Sequence, residues 1–346
     1  MSPYTSLITS LSLVLGSITV LSSNHWAMTW TGLEINTLAI IPMISKSHHP
    51  RAIEASIKYF LTQATASAVI LLSSTINALT TGQWDITALT NPTSSLLLTA
   101  AIAVKLGLVP FHFWFPEVLQ GSSLITALLL STLMKLPPII ILLISSNSLN
   151  PTLLTSMALL SAAFGGWMGL NQTQTRKIMA FSSISHLGWM TLILIYAPKL
   201  TLLALYLYII MTSVIFLIFN STNTTKLLTI MASWMKNPPL NATLMLTLLS
   251  LAGLPPLTGF LPKWLILQEL IKQEMTLIAL IIALLSLLNL FFYLRLTYYS
   301  TITLPPNITN CTKHWYLYKT TSIAIAPLIT LSTLLLPLSP TILTMI

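Results

Sequence analysis

Apolar residues run on along nearly the whole chain, without the alternation of a strand or the one-sided stripe of a soluble helix, and short polar clusters cut the runs. The cuts fall near 22–24, 46–57, 81–93, 146–150, 172–176, 197–200, 220–240, 269–275 and 300–321, with one more at Gly121 and Ser122. The pieces between them have bilayer-spanning length, about 20 residues, and predict about 11 membrane-crossing helices. A transmembrane barrel needs alternating segments of roughly 10 residues, and runs such as 277–290 do not alternate. The predicted fold is an all-α integral membrane bundle.

Composition sharpens this picture through its exceptions. Of the 346 residues, 55% are hydrophobic and only 6% charged, with a mean hydropathy of +0.85. Yet Glu34, Lys105, Lys135 and Lys263 each lie inside an apolar run. A charge at the bilayer centre costs about 2.5–3.5 kcal/mol on insertion scales, so such residues face the protein interior and are functional by default. Lys105 and Lys135 are too deep to snorkel to the interface. Desolvation penalises a charge, so a lysine buried in this way is suited to giving up and regaining a proton. Glu34 is the one carboxylate inside a run and the expected counter-charge. A purely structural ion pair is the alternative, although one acid cannot neutralise three lysines. His112 and His186 also fall within spans, where an imidazole serves either as a proton relay or as a satisfied core residue.

Two of these positions sit in a repeat. KLGLVPFHFWFPEVLQ contains Gly107, Leu108, Pro110 and Pro116, and LAGLPPLTGFLPKWLILQ contains Gly253, Leu254, Pro256 and Pro262, at a constant offset of 146. In the span count these are the fourth and ninth helices, which cross in opposite directions, so the chain is expected to hold inverted repeats over 1–150 and 151–300 and a final helix over 322–346. Glycine and proline together should interrupt both helices at depth, where freed backbone groups need protein or a wet cavity to satisfy them. Ordinary proline kinks have the same signature. The ionisable residue beside each break favours a cavity. Glu117 stands where the second repeat has Lys263, either as a buried partner or as an interfacial acid.

The formal charge of +9 reads as topology. With 11 spans, one side receives Lys46, Arg51, Lys58, Arg176, Lys177, Lys226, Lys236, Arg295, Lys313 and Lys319, and the other only Lys199 and Lys272. The positive-inside rule then puts the N-terminus inside and the C-terminus outside. The Asn-x-Ser/Thr sequences at Asn220, Asn223, Asn307 and Asn310 fall on the inner side and are expected to be unmodified. The basic residues form no dense patch, so no nucleic-acid partner is expected. Residues 1–10 lack a basic or Arg-rich leader, so no cleaved targeting peptide is expected. The single cysteine, Cys311, supports neither a disulfide nor an iron-sulfur cluster, and no phosphate-binding glycine loop appears. No cofactor is therefore expected in this chain. Tryptophans and tyrosines near span ends, such as Trp26, Trp84 and Trp315, read as interfacial anchors, and Gly165, Gly166 and Gly169 as a close helix approach.

The runs WTGLEINTLAIIPMI, AVKLGLVPFHFWFPEV, STLMKLPP, RKIMAFSSISHLGWM and LAGLPPLTGFLPKW closely resemble the antiporter-like membrane subunits of mitochondrial NADH-ubiquinone oxidoreductase, respiratory complex I, in their vertebrate form. That resemblance spans essentially the whole chain. It implies that Glu34 pairs with Lys105 on a discontinuous helix, that Lys135 continues a central hydrophilic axis, and that Lys263 ends it, with His112 and His186 on the hydrated path. It further implies redox-driven proton translocation as part of the whole complex, and a shortened form that lacks the first three of the family's 14 helices. The expected setting is the mitochondrial inner membrane, with the N-terminus in the matrix and the C-terminus in the intermembrane space. The expected partners are other membrane-arm and accessory subunits and membrane lipids, with flavin and iron-sulfur clusters in other subunits. A cation/proton antiporter subunit and a structural scaffold of the membrane arm are the competing readings.

Overall fold

A computed structural model of the chain describes residues 3–234, 238–302 and 324–339. Among them are fifteen α-helices and no β-strand; the pairing outside helices is two isolated bridges, His25–Asp85 and Gln174–Lys226. Lys236, Cys311, Trp315, Lys313, Lys319, the sequences at Asn307 and Asn310, and both ends of the helix expected over 322–346 lie outside the described residues.

Proline punctuates the chain. Helices α1 (Pro3–Ser22), α3 (Pro50–Thr81), α4 (Pro92–Leu106), α8 (Pro151–Gly169), α10 (Pro198–Thr222) and α12 (Pro238–Ala252) all open on it. The first helical turn does not use that N–H, and the ring presets φ for the helix. At α4, Asn91 completes the start by accepting a 3.2 Å hydrogen bond from the Thr93 N–H.

A second device lets a Ser/Thr-rich chain enter lipid. Hydroxyls of Ser73, Ser161 and Ser183 donate back to Ile70, Ala158 and Ala180 carbonyls at 2.7–2.8 Å, so no partner outside the helix is needed. The outward faces are apolar: α1 exposes Leu7, Ile8, Leu11, Val14, Leu15 and Ile18. In water such a surface is an aggregation patch; in a bilayer it is the solvent-matched face. Among the described residues six helical stretches are long and apolar enough to cross a membrane, one of them being Leu124–Ile144 taken as a whole.

The chain divides into two compact units, residues Met1–Ser161 with Leu194–Pro198, and Ala162–Ile193 with the chain from Lys199 onward. In the first, α1 packs on α2 (Trp26–Ile44), α2 on α3, and α3 on both α4 and α5 (Trp114–Gly121). It also holds α6 (Leu124–Ser131) and α7 (Leu136–Ile144). In the second, α13 (Phe260–Lys272) and α14 (Thr276–Ile302) pack on α9 (Thr175–Ile193), while α12 touches α13, α14 and α15 (Ile325–Leu334). Alanine Cβ atoms at Gly165, Gly166 and Gly169 would fall 2.8–3.0 Å from Ser185, Leu288 and Phe292, so these glycines do serve a close helix approach.

Three expectations need correction. Residues 46–57 are not a break throughout, because α3 begins at Pro50 and carries Arg51, Glu54 and Lys58 in its first turns; a helix keeps its backbone bonds as it leaves the apolar layer. Residues 220–240 hold a short helix, α11 (Leu227–Ser233). The fifth span is not continuous: between α6 and α7 the chain tightens into a 3-10 turn, Leu133–Lys135. Pro137 and Pro138, which cannot donate to the preceding turn, force that third interruption.

Candidate functional site

Both glycine-proline segments are interrupted helices, and they end in the same way. α4 stops at Leu106 with Gly107 at φ 75°, and α12 stops at Ala252 with Gly253 at φ 84°. In each, the residue after the glycine donates back to close the last turn, Leu108 to the Ala103 carbonyl (2.9 Å) and Leu254 to the Leu249 carbonyl (3.4 Å). The glycines donate to Val104 and Ser250. This is a Schellman cap, and its αL position favours glycine. The next links also repeat: Phe111 to Leu108 and Leu257 to Leu254, then Phe115 to His112 and Leu261 to Thr258. Every pair keeps the offset of 146, so the sequence repeat is a repeat of backbone hydrogen bonds.

A lysine ammonium accompanies each exposed helix end, where the partial negative charge of unsatisfied carbonyls favours a cation. Lys105 lies in the last turn of α4, 6% exposed. The nearby Val104 carbonyl takes a 3.0 Å hydrogen bond from the Trp114 indole. In the second unit the lysine itself caps the end: Lys263, on α13, donates to the Ala252 carbonyl at 2.7 Å and lies 5.9 Å from the centre of the Trp189 ring.

Two cavities sort the expected residues. In the first unit, Lys105 and Lys135 line one together with Tyr59, Gln63 and Trp114. Lys135 sits in the 3-10 turn, buried, 4.5 Å above the Phe115 ring; a ring face stabilises a cation without a carboxylate. In the second unit, His186 and Lys263 share a cavity with Trp189, Tyr208 and Pro262, and the His186 ring lies 5.6 Å from that of Tyr208. Space open to water centres is ≈ 20 Å³ in each, enough for one water molecule, which needs about 10–15 Å³.

Glu34 and His112 stand apart. The Glu34 carboxylate accepts from the Thr37 hydroxyl at 3.2 Å and from Ser67. Among the described residues the ion pairs within 4.0 Å are Lys58–Glu54, Lys58–Glu117 and Lys272–Glu269, so the expected direct Glu34–Lys105 pair is not formed. Two hydroxyls already solvate the carboxylate, and it remains within electrostatic reach of Lys105. His112 is buried in the connection between α4 and α5, beside the Phe113 ring at 4.2 Å; it does not line the Lys105 cavity. Glu117 is an exposed acid, paired with Lys58 at 2.6 Å.

Sequence reasoning missed Tyr59, Gln63, Trp114 and Tyr208. A signal existed for the first two: a tyrosine and a glutamine four apart in an apolar run share one helix face.

Two family descriptions match the chain: NADH:quinone oxidoreductase/Mrp antiporter, TM, over residues 23–289, and NADH dehydrogenase subunit 2 C-terminus, over residues 290–343. NADH-ubiquinone oxidoreductase chain 2 of Struthio camelus is 73% identical over 99% of both chains, and that of Gallus gallus 69% identical over the whole of both. Among solved structures, a chain of respiratory complex I from Thermus thermophilus with bound aureothin has a TM-score of 0.84 at 25% identity. It covers 97% of this chain and 80% of its own. A chain of the Mrp complex from Dietzia sp. DQ12-45-1b shares the fold, with a TM-score of 0.81 at 17% identity and cover of 97% and 75%. Matches of this length and identity place the chain in the NADH-ubiquinone oxidoreductase chain 2 family, the antiporter-like membrane-arm subunits of the proton-translocating respiratory complex I.

Proposed function

We propose that this subunit contributes the proton-carrying groups themselves: Lys105 and Lys135 in the first unit, Lys263 in the second, with Glu34 tuning Lys105 and with His112 and His186 as relays. The observation that carries the reading is the repeated helix break with a lysine and a water-sized cavity beside it, at residues 103–115 and 249–261. A broken helix inside a membrane is tolerated where its free backbone groups meet protein or water, and a buried ammonium there is costly unless it is used. The scaffold reading would be supported by direct ion pairs among the intramembrane charges; Lys105 and Glu34 make none, and the pair that joins two helices, Lys58–Glu117, is an exposed one. Among the described residues no group of three or more His, Cys, Asp or Glu side chains is arranged to hold a metal ion, which gives the cation-antiporter reading no site of that kind to build on.

Glu34→Gln tests the tuning role. It keeps the shape and one acceptor oxygen, turns the other hydroxyl contact into one that the amide donates, and removes the charge that acts on Lys105. Coupled NADH oxidation by the assembled complex should fall about three- to tenfold, the scale of one charged interaction of roughly 1 kcal/mol. An unchanged rate at normal assembly would remove Glu34 from the mechanism.

The proposed setting is the mitochondrial inner membrane, with the N-terminus and the 220–240 segment in the matrix and the C-terminus in the intermembrane space. The uneven distribution of lysine and arginine supports it. Flavin and iron-sulfur groups are assigned to other subunits. A membrane-impermeant label on a cysteine introduced at Ser6 should react in inside-out vesicles, with the matrix face outward, and stay unreactive in intact mitoplasts; the reverse pattern would invert the topology.

A further inference from the structure

Residues 253–259, which join α12 to α13, decide where Lys263 starts its reach to the Ala252 carbonyl. Pro255 and Pro256 carry no N–H, so few backbone bonds close the segment: Leu254 donates to Leu249, and Leu257 to Leu254. Two adjacent residues tie it to other helices instead. At Gly259 a Cβ would fall 1.7 Å from the Ser250 carbonyl oxygen, so the backbone itself lies against α12, where only glycine fits. At Thr258, 1% exposed, the hydroxyl donates to the Ser332 carbonyl of α15.

Ser332, also buried, stands in the last turn of α15, where a helix has no N–H of its own left for its carbonyls. The Thr258 hydroxyl satisfies one of them, and α15 packs along α12. The repeat places His112 at the equivalent position of the first unit, at the same offset of 146, so the hydroxyl brace is a feature of the second unit. We propose that Thr258 is a positioning residue: held by the Ser332 carbonyl, it fixes the connection so that Lys263 stays on the Ala252 carbonyl. The C-terminal helix thereby becomes part of the site. The inference rests on the reading of Lys263 given above and adds what holds that lysine in place.

A lysine ammonium rides on a flexible stem, so its place is set by what its helix and its hydrogen bonds fix. Without the brace the connection is released on the α15 side of Gly259, and the start of α13 can move with it. The 2.7 Å bond from Lys263 to Ala252 is the first to suffer, because it spans the two helices that the connection joins. The ammonium then meets its neighbours differently: His186 and Trp189 of α9 and Tyr208 of α10 line its cavity. Thr258 itself neither gains nor loses a proton. It acts through the position of Lys263 alone, where small displacements of a reacting group are costly.

Thr258→Val removes the hydroxyl and keeps the branched shape, whereas Thr258→Ser keeps the hydroxyl and loses the methyl. In the assembled, membrane-reconstituted complex, Thr258→Val should lower coupled NADH oxidation about three- to tenfold, the scale of one lost buried hydrogen bond, and shift its pH profile. Thr258→Ser should restore the profile and most of the rate. A packing defect alone predicts the opposite ranking, since valine fills the site as threonine does and serine leaves a gap the size of a methyl group; that ranking would overturn the proposal. A Thr258→Val complex with normal rate and profile, beside an inactive Lys263→Met complex, would overturn the brace and leave the lysine reading intact. An unchanged Lys263→Met complex would overturn both. If Thr258→Val does not assemble, Thr258→Cys, which keeps only a weak thiol donor, takes its place with the same expected shift and the same refutation.

Discussion

Gly253→Ala should damage the subunit far more than Gly107→Ala, although the two glycines occupy equivalent caps. Both stand at positive φ, 84° and 75°, where an alanine costs about 1–2 kcal/mol. The difference is what the new methyl meets. At Gly107 the nearest atom is the Phe115 Cβ at 3.5 Å, ordinary contact. At Gly253 it would lie 2.9 Å from both Cδ and Nζ of Lys263. The end of the lysine side chain must shift, which disturbs the 2.7 Å bond to the Ala252 carbonyl, a charge-assisted bond worth about 1.5–3 kcal/mol. Gly107→Ala should therefore assemble and keep most of its coupled activity. Gly253→Ala should lose coupled NADH oxidation by about tenfold or more, measured at matched amounts of assembled complex. Equal effects would show that the position of Lys263 over that helix end does not matter.

Lys105→Met is expected to leave the complex assembled and to stop the proton traffic that depends on this site. Methionine is unbranched, apolar and of comparable reach, so it fills the space that Lys105 occupies, and a buried ammonium with no hydrogen-bond partner among the described residues gives the fold little to lose. What disappears is the titratable group. Positioned proton transfer is worth about 10²–10⁴ in rate, and in a tightly coupled enzyme NADH oxidation should fall with pumping. The scaffold reading predicts the reverse order, with assembly failing first and the surviving complex working normally. Blue-native separation and coupled turnover on the same preparation distinguish the two.

How far the sequence carried these conclusions differs from feature to feature. Gly107, Pro110, Gly253 and Pro256 announced both helix breaks, because the residues that stop a helix are few and their action is local. The third break was legible in principle from Pro137 and Pro138, yet an apolar run on both sides hid it among the continuous spans. Lys105, Lys135 and Lys263 stood out because charge in an apolar run is rare. The partner of Glu34 was not legible: opposite charge pointed to Lys105, whereas the carboxylate is solvated by Thr37, on its own helix, and by Ser67 on α3, a match made in three dimensions. Tyr59 and Gln63 were missed for a related reason. α3 buries its polar side chains and turns Ile57, Phe60, Leu61, Leu71 and Leu72 outward, the inverse of a soluble helix, and the packing of α3 on α4 and α5 makes that arrangement plain.

The central claim is that protons move through this chain on its buried lysines. Its most direct test is the proton-to-electron ratio, measured together with the NADH oxidation rate, of a fully assembled Lys105→Met complex reconstituted in sealed vesicles. A fall in the rate of proton transfer, with NADH oxidation falling in step or with the ratio lowered, is what the claim predicts. An assembled complex with unchanged rate and unchanged ratio would contradict it.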